Sequence, residues 1–80
     1  MRALSIGTAE VDVTENLPFA PNHKVVGINL GAGTAVLRSA PTSGGTTSNI
    51  KSFAANEVAE VEIDNPFLDT DTGTIVLLTN

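Results

Sequence analysis

Two aspartates stand at alternate positions ahead of a glycine in PFLDTDTG, residues 66–73. Alternate carboxylates aim oxygens at one cation, and a glycine lets the loop wrap around it; Ca²⁺ takes roughly six to eight such oxygens. A full calcium loop would add an Asp or Asn at the next alternate position and a Glu six residues after the glycine, where this chain has Gly73 and Thr79. The stretch therefore reads as an Asx-rich turn, with aspartates capping backbone amides and Gly73 in a left-handed conformation. A calcium-stabilised accessory domain stays open as the lesser alternative, and no metal ligand is assigned.

The other chemistry-bearing residues are few. His23 is the only histidine and has no second His or Cys at zinc spacing. Hydroxyls are plentiful, but nothing pairs one with a base and an orienting carboxylate. Glu57, Glu60 and Glu62 lie in a chain without Trp or Tyr, so no aromatic floor exists on which a sugar would stack beside them. They read as the solvated face of a strand. In GAGT, residues 31–34, no Lys follows and no helix opens to present amides to a phosphate. The expectation is a protein that is not an enzyme, with neither catalytic residues nor cofactor.

Composition narrows the classes further. Eighty residues make one domain, with 41–49 as a mobile Gly/Ser/Thr-rich loop. A domain of this size buries only about 60% of the surface its unfolded chain exposes. There is no cysteine, so neither a disulfide nor a thiolate zinc site supplements the core. Oligomerisation is the remaining staple. The net charge of −5 and the isolated cations Arg2, Lys24, Arg38 and Lys51 argue against nucleic acid. The start MRALSIGTAEVDV lacks the unbroken apolar stretch of a secretion signal, and no run is long enough to span a bilayer. Synthesis in a cytoplasm, without a signal peptide or membrane partner, is expected.

The elements that must position these residues show period two. Short segments rich in Val, Ile and Thr, separated by Gly, Pro, Asn and Asp, predict an all-β fold. In ALSIGTAEVDV the inward set slips by one residue near Gly7, which predicts a β-bulge. ENLPFAPN, residues 15–22, reads as a loop whose Phe19 plugs the core. HKVVGINL offers Val26, Ile28 and Leu30 as one face and Val25, Gly27 and Asn29 as the other; GAG then predicts a hairpin into TAVLRSA. A strand near 50–53, a turn at Ala55 and Asn56, and a strand with Ala59, Val61 and Ile63 inward follow, with a helix over 53–59 as the competing reading. TIVLLTN is apolar on both faces, so it is central and covered, or pressed on another chain. The sum is a small antiparallel β-barrel or β-sandwich of about six strands.

The second half, GAGTAVLRSAPTSGGTTSNIKSF followed by a strand and NPFLDTDTGTIVLLTN, resembles small β-structured virion proteins of tailed bacteriophages. The resemblance rests on a Gly-Thr-apolar strand leading into an S-G-G-T loop, then a Pro-aromatic-Leu segment, a T-G-T turn and an apolar strand. It departs from the pattern at Ser48, Asn49 and Asp69. It implies a capsid decoration or cement protein that bridges shell subunits in the virion as a homo-oligomer, a trimer by preference. The partners implied are the major capsid protein or other virion proteins. Val25, Val36, Val76 and Leu78 are the expected interface residues, being apolar on second faces. Another head or tail component, or a receptor- or glycan-binding module using the polar loop, is the alternative.

Overall fold

Val, Ile, Leu and Thr at alternate positions suit a pleated surface with one face buried, and they supply most of the strand residues. The computed structural model describes residues 1–80 apart from Leu17, Pro21 and Asn80. Eight strands run through it: β1 (Arg2–Ile6), β2 (Val11–Asp12), β3 (His23–Asn29), β4 (Ala35–Ala40), β5 (Ser48–Phe53), β6 (Val58–Ile63), β7 (Phe67–Thr70) and β8 (Ile75–Thr79). Among the described residues the only helical piece is one 3-10 turn at Val13–Glu15, which Asp12 caps through the Thr14 amide at 3.0 Å. The competing helix over 53–59 does not form.

The strands make two antiparallel four-stranded sheets, ordered β1-β8-β3-β6 and β2-β7-β4-β5. Of the two architectures expected, the sandwich is correct and the closed barrel is not. The strand number rises from about six to eight because two elements are short: β2 has two residues, and β7 is the four-residue stretch expected to be part of a turn.

Strand pairing explains the arrangement. β1 pairs with β8, β2 with β7, β3 with β6, and β4 with β5, all antiparallel. The chain is thus one long hairpin, with the β4–β5 loop at its tip, rolled so that successive pairs fall in alternate sheets. This is the jelly-roll topology. Only the β4–β5 connection stays within a sheet. Two sequence expectations change accordingly. The slip at Gly7 is no bulge but the crossing from one sheet to the other, and GAG at 31–33 is a crossing as well. Neither Gly31 nor Gly33 takes positive φ, whereas Gly73 does, at +72°, as its turn requires.

The core fills the space between the sheets. Phe19, Phe53, Leu37, Ile63, Ile75 and Leu77 are buried there. Phe19 plugs the core as expected, while Leu17 and Pro21 of the same loop lie outside the described residues. Ala59, Val61 and Ile63 face inward on β6, and Ala55–Asn56 form the expected turn, with Asn56 at φ +61°.

Two details fix how β3 sits. A Cβ built on Gly27 would lie 2.7 Å from Cζ of Phe53, so the ring occupies the space that a side chain would need. Asn29, fully buried, donates from Nδ2 to the carbonyls of Gly33 (2.8 Å), Phe53 (3.1 Å) and Ala54 (3.1 Å), and its Oδ1 accepts from the Gly31 amide at 2.9 Å. One amide thereby ties two crossings together.

Candidate interaction surface

The aspartates that opened the question of chemistry are both engaged within the protein. Asp69, on β7, accepts from Arg38 Nε and a terminal guanidinium nitrogen, both at 2.9 Å, in a bidentate pair. This pair raises the Arg38 pKa further above its ordinary value. Asp71 Oδ1 accepts from the Val36 amide at 2.8 Å. A turn with Gly73 at φ +72° is present, but its aspartates bond across strands and cap no amide of the turn itself: Asp71 caps the Val36 amide of β4 and Asp69 is an ion-pair partner within β7. Among the described residues no three of His, Cys, Asp and Glu converge as a metal would require. His23 is exposed at the start of β3. A small hollow of about 130 Å³ lies where the 31–34 and 72–73 crossings meet. The amide of Asn29 beneath it is already hydrogen-bonded as described above.

The loop expected to be mobile is fastened at its tip. Glu10, on the crossing after β1, accepts from Ser43 Oγ at 2.5 Å and from the Gly44 amide at 2.7 Å. Those two bonds hold its carboxyl below the usual carboxylate range. Ser48 and Asn49, placed in the loop by the sequence, belong to β5. At the other corner, Glu57 accepts from the Ala54 amide at 2.9 Å and pairs with Lys51 at 3.0 Å, which lowers its pKa in that order of cause.

With the charged groups so paired, the feature that stands out is a face. On the outside of the β1-β8-β3-β6 sheet the register aligns Ala3, Leu78, Val26 and Glu60 in one row. Ser5, Val76, Ile28 and Val58 make the next. Six of these eight positions are apolar, and they adjoin one another across four strands. Val26 is 36% exposed and Val58 59%. A shallow groove of about 280 Å³ opens beside Val26 and Leu78, with Met1 and Thr79 on its walls. The margin at β6 is acidic: Glu60 and Glu62 point outward, and Lys24 stands opposite Glu62 in the register. The outside of the other sheet differs, because Arg38 and Asp69 sit at its centre as an ion pair.

Of the four interface residues expected from the sequence, the structure brings together two. Val76 and Leu78 are neighbours on the apolar face, half-buried by the flanking strands. Val36 is half-buried on the outside of the opposite sheet, beside Arg38. Val25 is a correction: it is only 3% exposed and points into the core. The outward apolar residues of β3 are Val26 and Ile28, on the face opposite Val25. The signal that distinguishes the two phases lies in Gly27 and Asn29, because only the inward set is required by the Phe53 ring and the crossing carbonyls.

Compared with protein-family models, curated proteins and solved structures, the chain matches none.

Proposed function

We propose that the chain is a non-enzymatic structural protein of a virus particle, a capsid decoration or cement protein, that works by laying the outer face of its β1-β8-β3-β6 sheet on a shell subunit. The observation that carries this is the uncovered apolar face on a strand, β8, that is central in its sheet. A strand apolar on both sides in a two-layer fold leaves one side for another molecule. The acidic margin of Glu60 and Glu62 suits a shell surface with an apolar centre and a Lys/Arg rim. The resemblance of residues 31–79 to small phage virion proteins supplies the class of partner, and jelly rolls recur among capsid proteins, which is an argument by analogy. Cement action is then mass action: copies that bind only assembled shell lower its free energy relative to free subunits.

The test is co-sedimentation of the purified protein with shells stripped of accessory proteins. The expected result is saturable binding that Val26→Lys with Leu78→Lys reduces by at least tenfold while thermal unfolding stays near wild type. Absence of binding to any capsid or tail lattice, or binding indifferent to the double substitution, would sink the proposal.

A further inference from the structure

Two four-stranded sheets that do not close have four edges, and an edge left open invites another strand unless something discourages it. Three of the four carry a deterrent. β2 is two residues long. β5 is irregular, its register against β4 shifting at Leu37/Arg38. β6 holds Glu60 and Glu62 at alternate positions, so a second β6 brought alongside would meet like charges. The fourth edge, β1, is five residues of regular strand, RALSI, with no proline, no bulge and no acid. Its only partner is β8, and among the described residues no loop or side chain hydrogen-bonds its outer backbone.

Charge and packing both point to a second copy of this chain as what pairs there. The protein carries −5, so two copies approach best where acids are absent or engaged within the chain; β1 itself has none, and at its margin Glu10 is held by Ser43 and Gly44 and Asp12 by Thr14. β1 bears Arg2 and lies three strand spacings from Glu60 and Glu62, about 14 Å, beyond the Debye length of about 8 Å in physiological salt. Leu4 is half-buried against the core at this margin, where the opposite sheet offers only the short β2. It is the one core-facing residue of the strand that a neighbour would finish covering.

We propose that two copies join edge to edge through β1, antiparallel about a two-fold axis at Leu4. Leu4 then meets Leu4 of the second copy, and Ala3 meets Ser5 in both directions. The sheet becomes eight strands wide, its two apolar outer faces merge into one band, and Glu60 and Glu62 stay at the far margins. The two-fold pairing takes the place of the trimer favoured by the sequence. It also stands independently of the virion reading: the dimer forms in buffer with no shell present, so failure of shell binding leaves it untouched.

Sedimentation equilibrium of the full chain over a concentration series tests it. Wild type is expected to fit a monomer–dimer equilibrium. Ala3→Glu with Ser5→Glu places like charges across the axis twice and should weaken the dimer roughly tenfold or more. Ala3→Lys with Ser5→Glu places opposite charges across it and should restore the dimer. Both positions are exposed, so the variants are expected to fold; should the diacidic one not, Ala3→Lys with Ser5→Lys serves equally. A wild type that is monomeric throughout, a trimer, or a dimer insensitive to the diacidic pair overturns the proposal.

Discussion

A methyl group added at position 27 has nowhere to go. The Phe53 ring that it would strike is fully buried, so the ring or β3 must move. Gly27→Ala is expected to cost about 1–3 kcal/mol, the usual range for overpacking, read from urea unfolding; a neutral result would mean that the ring does not sit over β3. Asn29 acts through hydrogen bonds instead. Asn29→Ala removes the donor shared by the Gly33, Phe53 and Ala54 carbonyls, of which Ala54 keeps the Glu57 amide, and the acceptor of the Gly31 amide, and a loss of about 2–3 kcal/mol is expected. An unchanged midpoint would remove the amide from the account. Glu10 makes the loop tip sensitive to acid. Its pKa is lowered in the folded protein, so its contribution is fully present above the ordinary value of 4.5 and is lost as pH falls through the lower folded value. The Gly44 amide resonance should titrate with a midpoint below 4.5 and lose that transition in Glu10→Gln. A midpoint at or above 4.5 would contradict the hydrogen bonds to Ser43 and Gly44.

At the scale of elements, β3 offers the sharpest test, because its two faces read almost alike. Val25→Ala opens a cavity in the core and should cost about 2 kcal/mol, whereas Val26→Ala on the exposed face should change stability by less than about 0.5–1 kcal/mol. The reverse ranking would restore the phase suggested by three large apolar residues at 26, 28 and 30. That phase was the natural reading, since alternation alone does not say which set faces in. What decides it is non-local, a phenyl ring from β5 and carbonyls at residues 33, 53 and 54. Where the faces differ in polarity, as in β6 with Glu60 and Glu62 outward against Val61 and Ile63 inward, the inside is legible from the residues themselves. The doubly apolar β8 is legible too, and its uncovered side is the part of the surface that sequence alone anticipates, through Val76 and Leu78. Glycines mark breaks in the strands at 7 and 31–33, but not whether the chain turns back beside itself or leaves for the other sheet. Hairpin and crossing use the same residue types, and the difference appears only when partners far apart in sequence have paired. The short β2 and β7 fall below the length at which alternation can be seen.

The whole molecule is a single hairpin rolled up, and β8, last of the strands in chain order, sits between β1 and β3. Burial of Ile75 and Leu77 therefore depends on residues more than forty positions upstream already being in place. Folds dominated by such distant pairings form in roughly milliseconds to seconds, where helical bundles of similar size need microseconds to milliseconds. Stopped-flow refolding is expected to show that slower range, and a microsecond phase accounting for the full amplitude would contradict the topology. During synthesis the consequence is sharper. Until the TIVLLTN segment is available, β1 and β3 have no strand between them, and the four-stranded sheet that carries the apolar face is incomplete. A chain stopped at residue 73 can form the β2-β7-β4-β5 layer and the β3–β6 pair, but β1 has no strand to join. The strand that completes the core also completes the surface offered to a partner, so a copy without β8 lacks both.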